Sequence, residues 1–218
     1  MSLDIRKSGI PVLAYPHCDA APTSSCLIFR FNETQATATI LLQSSLLIDR
    51  HDEPQTCTMQ YDADCLKLGS LGPATIPLPQ SRLDQLAREG NPQMQTLSLK
   101  LKRLAPVWAP LHVKLRPQMG QEAVYERVAV LARATTLHIL FDFKWLHRDH
   151  QAVFRRLINH PEQLRAFPVW RHYNNLYRRG DWSVFEDGMP EVPDELVGEC
   201  PPQYAESSKR PRNGRCYA

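Results

Sequence analysis

The spacing of hydrophobic residues changes once along the stretch from His138 to His160. Apolar and aromatic side chains first follow a two-residue period, which predicts a buried strand. From Trp145 they recur every three or four residues, which predicts an amphipathic helix. The apolar stripe of that helix consists of Leu146, His150, Val153, Phe154, Leu157 and Ile158. Pro161 then ends the helix and begins a short second one, because proline is tolerated in a first helical turn and not further inside.

Similar patterns predict a sheet and two more helices. LIFRF alternates and ATATILLQ is rich in β-branched residues, so these segments predict a hairpin with a turn at Asn32 and Glu33. TCTMQY and QTLSLKLKR are two further predicted strands. Helical spacing predicts a long helix over EAVYERVAVLARA, and a start signature at Ser81 predicts a short helix over SRLDQLARE.

This order of elements predicts a single α+β domain over residues 25–185, in which helices pack on one face of an antiparallel-rich sheet. Residues 1–24 carry three prolines and few periodic apolar positions, so we expect an irregular lead-in. The proline-broken run APVWAPLHVKLRP is expected to be irregular too. Residues 186–218 are poor in large apolar residues and rich in proline, serine and charge, which is typical of a disordered tail.

The composition is that of a soluble globular protein. Of 218 residues, 43% are hydrophobic and 22% charged, and the net charge of +3 is too small to indicate a partner. No apolar run has the length of a secretory signal or a membrane span, so we expect a nuclear or cytoplasmic protein that is neither secreted nor membrane-bound. Six scattered cysteines without a CxxC pair predict free thiols, and no cofactor is expected.

Two short motifs at the start of the predicted helix look catalytic. His147, Arg148 and Asp149 spell HRD, as in the catalytic loop of protein kinases. Phe154 stands where that loop requires asparagine, and neither a glycine-rich loop nor DFG is present. His147 and His150 form HxxH, half of a metal site, although a histidine on an apolar stripe is more often a hydrogen-bonded core residue. A small hydrolase or metalloenzyme around His147, Asp149 and His150 is therefore the third hypothesis, with no catalytic or metal residue assigned.

Basic and aromatic residues are interleaved between Lys144 and Arg179. Arginine contacts phosphate and aromatic rings stack on bases, so this segment is a candidate nucleic-acid surface and supplies the second hypothesis. The alternative is a solvated helix face whose arginine stems cover apolar surface. The candidate arginines are Arg148, Arg155, Arg156, Arg171, Arg178 and Arg179.

The predicted tail contains two recognition motifs. Pro201, Pro202 and Tyr204 belong to PPQY, which resembles the PPxY ligand of WW domains, such as those of ubiquitin ligases. The following KRPR is similar to a nuclear import signal. Its basic residues, with one added downstream, are Lys209, Arg210, Arg212 and Arg215. The leading hypothesis is therefore a non-enzymatic interaction or adaptor protein whose partners are a WW-domain protein and a nuclear import receptor.

Three blocks of the chain together resemble one known family. LIFRFNE, FDFKWLHRDHQ and PPQYAESSKRPR are similar to an uncharacterised family of small intracellular proteins of filamentous fungi. The resemblance covers most of the chain. The family carries no known activity, so the resemblance implies an intracellular protein and assigns no site residue.

Overall fold

A curled, mainly antiparallel sheet of eleven strands forms the body of this chain, as seen in the computed structural model, which describes residues 2–4, 9–74, 76, 78–168 and 175–188. The strands are β1 (Ser2–Asp4), β2 (Ile10–Tyr15), β3 (Thr23–Asn32), β4 (Thr37–Leu46), β5 (Gln55–Asp62), β6 (Leu66–Pro73), β7 (Met94–Leu101), β8 (Val107–Pro110), β9 (Thr136–Asp142), β10 (Arg165–Ala166) and β11 (Tyr177–Gly180). The α-helices in the described ranges are α1 (Gln80–Leu86), α2 (Glu122–Arg133) and α3 (Arg148–Asn159). Short 3₁₀ helices cover Ala63–Cys65, Phe143–Trp145, Pro161–Gln163 and Trp182–Gly188.

The strand order of the sheet is β11-β8-β5-β4-β3-β2-β9-β7-β6. Neighbours along this order pair antiparallel, and β1 pairs antiparallel with β3 beyond the end of β2. β10 pairs parallel with β4 where β5 has ended. The predicted hairpin is β3 and β4, and Asn32 at its turn accepts the Gln35 N–H at 3.1 Å.

The sheet cannot be flat, because a link of three residues joins β5 to β6. Five other strands lie between those two in the sheet, so a flat sheet would hold them about 29 Å apart at about 4.8 Å per strand. The link Ala63–Cys65 spans at most about 15 Å between its flanking Cα atoms. The sheet therefore curls until the two strands approach each other. The Lys102 N–H donates to the Cys65 carbonyl at 2.8 Å and ties the end of β7 to this link.

Helices α2 and α3 pack on the concave face of the curled sheet and share one apolar core with it. Phe154 of α3 meets Phe29 and Phe141 edge to face, with ring centroids 5.2 and 6.1 Å apart. Val128 of α2 is fully buried in the same core. These contacts confirm the predicted α+β domain. The predicted stripe is confirmed for Phe154, Leu157 and Ile158, whereas Leu146 precedes α3, and His150 and Val153 are only partly buried. The short α1 lies on the opposite face, where Leu86 belongs to a separate small apolar cluster.

Several boundaries differ from the sequence-based prediction. The prediction of an irregular lead-in is wrong for Ile10–Tyr15, which forms β2 between β3 and β9, and β1 also belongs to the sheet. The proline-broken run contains β8, and β6 was not predicted. The short helix after Pro161 is one 3₁₀ turn followed by β10. The folded unit therefore extends beyond residues 25–185 at both ends.

The longest helices in the described ranges, α2 and α3, have twelve residues each. A bilayer span requires about 20 residues, and no described helix is long and apolar enough to cross a membrane.

Candidate functional site

The structure divides the candidate nucleic-acid arginines into two groups. Arg148, Arg155 and Arg156 are exposed on α3, which packs against β6 at one end of the strand order. Arg178 and Arg179 are exposed on β11 at the other end. Arg171 lies outside the described residues.

Two of these arginines lie over aromatic rings. The Arg155 guanidinium is 5.2 Å from the centroid of the Phe143 ring, and that of Arg179 is 5.9 Å from the centroid of a Trp108 ring. Such contacts hold an arginine stem against the protein while leaving its guanidinium in solvent. In the α3 group this applies to Arg155, and Arg148 and Arg156 are exposed beside it.

His147, Asp149 and His150 lie close together at the start of α3. His147 Nδ1 is 3.3 Å from an Asp149 carboxylate oxygen, and both side chains are more than half exposed. The His147 and His150 rings are 5.8 Å apart. His150 Nδ1 is buried, and no hydrogen-bond partner is found for it in the described structure. Of the three, His147 lines the cleft of about 530 Å³ described below and the other two do not, so the trio does not converge on that cleft.

Asp142 is a fully buried carboxylate at the end of β9. Its oxygens accept three backbone N–H groups, from Gln93 at 2.8 Å, Arg88 at 2.9 Å and Lys144 at 3.1 Å. Three donors around one charge provide most of the hydrogen bonding that a buried carboxylate requires. Asp142 therefore fastens the loop after α1 to the turn that precedes α3.

A cleft of about 530 Å³ lies beside the hydrogen-bonded segments around Asp142. Two of its three Lys and Arg side chains already contact the protein: Arg88 donates to the Lys144 carbonyl at 2.8 Å and lies 3.9 Å from the Glu89 carboxylate. Lys144 Nζ donates to the Asn91 carbonyl. The lining residues are Arg88, Glu89, Gln93, Lys144, Leu146, His147, Arg148 and Gln151. These internal contacts give Arg88 and Lys144 a structural role.

A cluster of acidic and thiol groups marks the link between β5 and β6. Asp62, Asp64 and Cys65 bring one ligand atom each within 4.8 Å of one another, which would suit a metal ion. Arg103, however, donates to Cys65 Sγ at 3.1 Å and to Asp64 at 3.0 Å. Burial raises the pKa of the Cys65 thiol, and the arginine contact only partly opposes that shift. The guanidinium supplies the positive charge that a metal would bring. Its contacts join the segment after β7 to the link between β5 and β6.

Asp62 also belongs to a buried polar network on the convex face. Gln60 donates to both Asp62 oxygens, at 2.8 and 3.0 Å, and accepts the Trp108 indole N–H at 2.7 Å. Burial raises the pKa of Asp62, while the hydrogen bonds from Gln60 act in the other direction.

Two loops meet at the end of the sheet where β4 and β8 terminate. Both strands pair antiparallel with β5, so they run in the same direction and end on the same side. The Asp49 N–H donates to the Arg116 carbonyl at 2.9 Å, and the Gln118 N–H donates to the Leu47 carbonyl at 3.1 Å. Between the loops lies a cleft of about 390 Å³, here named the loop cleft, which is lined by Asp49, Arg50, His51, His112, Val113, Lys114 and Arg116.

Sequence reasoning missed the loop cleft because its residues come from two short segments more than sixty positions apart. Neither segment has a motif, and the only sequence signal is the density of basic residues in each. Arg178 was predicted as a nucleic-acid contact and lies beside this cleft, where it donates to the Val113 carbonyl at 3.5 Å.

The tail motifs lie outside the described residues. This applies to the WW-ligand-like Pro201, Pro202 and Tyr204, and to the import-like residues Lys209, Arg210, Arg212 and Arg215.

Comparison with known protein families, characterised proteins and solved structures finds no match to this chain. The resemblance to a fungal family stays a prediction, and a function must be argued from the residues themselves.

Proposed function

We propose that this protein is a non-enzymatic adaptor whose folded domain carries a C-terminal tail that binds a WW domain and a nuclear import receptor. The observation that supports the proposal is the firm attachment of the chain just before the tail. Phe185 is fully buried, and its carbonyl accepts the Tyr125 hydroxyl at 2.9 Å. The Arg133 guanidinium of α2 lies 4.1 Å from the Trp182 ring centroid. The tail therefore starts from a fixed point on the domain.

The number of residues between this point and the motif allows room for a partner. Twelve residues, 189–200, separate Gly188 from Pro201. A chain of that length extends at most about 45 Å. A proline-rich ligand loses little conformational entropy when it docks, because the polyproline II conformation is already populated.

Fluorescence anisotropy of labelled full-length protein with a panel of WW domains tests the adaptor. We expect saturable binding that Tyr204→Ala abolishes, because the tyrosine of PPxY fills a pocket. Tyr217→Ala changes a tyrosine of the same tail outside the motif and should leave the affinity unchanged. Loss of binding in both variants, or in neither, would contradict the proposal.

Import is tested with the tail fused to a cargo too large to diffuse through the nuclear pore. Nuclear accumulation is expected, and changing Lys209, Arg210 and Arg212 to glutamine should return the cargo to the cytoplasm. A cytoplasmic cargo with the unmodified tail would exclude the nuclear part of the proposal.

A second candidate function is nucleic-acid binding by α3, and the observation that favours it is the exposed group of Arg148, Arg155 and Arg156. Each phosphate contact releases counterions, so binding should weaken steeply as salt rises. Changing all three arginines to glutamine should remove retention in a filter assay and flatten the salt dependence. A variant with three exposed basic residues changed elsewhere, Lys67, Lys100 and Arg82, is the charge-matched control. Equal loss in the two variants would show a nonspecific charge effect.

A further inference from the structure

We infer that the loop cleft binds a small ligand through its phosphate group, a function beyond the adaptor proposed above. Three cationic side chains, Arg50, Lys114 and Arg116, line it together with a single carboxylate, Asp49. Asp49 lies 3.6 Å from Arg50, and both of these side chains are largely exposed. Among the described residues, Lys114 and Arg116 are not part of any ion pair and make no side-chain hydrogen bond. Their charges are free for a ligand.

The donors of the loop cleft are those that phosphate oxygens accept. Guanidinium and ammonium groups form charge-assisted hydrogen bonds with phosphate, and arginine can do so with two N–H groups at once. His51 and His112 add imidazole nitrogens from the two walls of the cleft. Five potential donor side chains around one cavity therefore favour an oxyanion over a neutral or cationic ligand.

The backbone of both loops is held in place before a ligand arrives. Arg50 and His112 both have φ of 63°, a left-handed conformation that residues other than glycine rarely adopt. The adjoining loop residues Ile48 and Leu115 are fully buried. The Tyr125 hydroxyl of α2 shares its single proton between the Leu115 and Phe185 carbonyls, which holds the second loop against the core. Both walls are therefore rigid although they consist of loops.

The size and flanks of the cleft favour a small molecule. A volume of about 390 Å³ lies within the range of small-ligand sites. Asp52 and Glu53 directly follow His51 and are exposed. Carboxylates next to the basic wall would repel the continuing backbone of a polynucleotide, but they leave room for an isolated phosphate or pyrophosphate group.

The test uses the full-length protein and sodium pyrophosphate, at constant ionic strength, with the imidazole signals of His51 and His112 followed by NMR. His51→Gln and His112→Gln assign the two signals. We expect both to shift and saturate together. A wild-type protein without saturable shifts would overturn the inference.

Paired variants separate site binding from general charge. Lys114→Gln with Arg116→Gln should weaken the affinity by about tenfold or more, because charged hydrogen bonds are lost. Lys67→Gln with Lys100→Gln removes the same charge elsewhere and should leave the affinity within about twofold, as expected of exposed charges. Equal loss in both pairs would contradict the inference.

A further variant keeps the test independent of folding failure. Arg50→Gly places the residue that best tolerates a left-handed backbone at that position, so Tm should be retained while binding weakens. A single-stranded oligonucleotide without terminal phosphate forms the last arm. If it shifts the two histidines with saturation and pyrophosphate does not, the ligand is a polynucleotide and the small-molecule inference is wrong.

Discussion

At the scale of single residues, the fold depends on a few buried polar groups whose partners are backbone atoms or neighbouring side chains. Asp142 binds three N–H groups from two segments, and Gln60 lies between Asp62 and Trp108. Because a buried polar group without partners costs about 1–3 kcal/mol or more, such groups impose one arrangement on the loops around them.

We predict that Asp142→Asn lowers the free energy of unfolding by about 2–4 kcal/mol, because the amide cannot accept three N–H groups and loses the charge. Urea denaturation followed by circular dichroism measures this. Asp149→Asn removes an exposed charge in the first turn of α3, is the control and should change stability by less than about 1 kcal/mol. Similar stabilities of the two variants would show that the Asp142 contacts are weak.

Asp62 predicts a pH dependence. Burial raises its folded-state pKa above the ordinary 3.8. Protonated Asp62 therefore contributes to the free energy of unfolding below pH 3.8, and this contribution is lost as the pH rises through the folded-state pKa. Asp62→Asn does not titrate. The Tm difference, variant minus wild type, should therefore become more positive from pH 4 to pH 7. A difference that stays constant over this range would contradict the raised pKa.

At the scale of elements, α3 and β6 show how closely a helix can approach a strand. A Cβ at Gly69 would lie 2.7 Å from the Ile158 Cγ2 atom and 3.0 Å from the Ile158 carbonyl oxygen. Glycine at this position therefore permits the packing that buries Ile158 and Leu157 against the sheet.

Substitution of the two glycines of β6 tests this contact. Gly69→Ala should cost about 1–3 kcal/mol, because the helix must shift to relieve the clash. Gly72 lies in the same strand, but a Cβ added there has no neighbouring atom within 4 Å. Gly72→Ala should therefore be neutral or stabilising by about 0.5 kcal/mol. Thermal and chemical denaturation of both variants give the comparison, and equal destabilisation would indicate that β6 disfavours alanine for another reason.

At the scale of the whole molecule, the curled sheet forms one core that reaches from β2 to the 3₁₀ turn at Trp182–Gly188. The ends of the described fold, β1 and this turn, both contact central parts of the domain.

Truncation from the C-terminus tests where the folded domain ends. A chain ending at Gly188 should keep the Tm of the full protein, because the residues removed are poor in large apolar side chains. A chain ending at Gly180 also lacks Phe185, so its free energy of unfolding should fall by about 3 kcal/mol or more, since a buried aromatic side chain is removed from the core. Differential scanning calorimetry compares the two. A lower Tm of the longer truncated chain would mean that the tail stabilises the domain.

The sequence by itself determined the elements in which the spacing of apolar residues matches one buried and one exposed face, or in which turn residues separate two strands. β9 and α3 were predicted because each has a regular pattern, and β3 with β4 because turn residues separate two strand-forming segments. β2 was missed because its six residues, one of them proline, are buried or nearly so on both faces and therefore do not alternate with polar ones. Its strand conformation comes from pairing on both sides, with β3 and with β9, which lies more than a hundred residues away.

Only the tertiary structure decided which distant residues share a site. β6 contains two glycines and β8 has four residues with prolines nearby, so pairing with neighbouring strands, more than local propensity, makes them strands. The loop cleft likewise exists because β4 and β8 run in the same direction on either side of β5. Local sequence carries periodicity and turn chemistry, whereas the curl of the sheet depends on contacts between segments far apart in the chain, and no short pattern encodes those contacts.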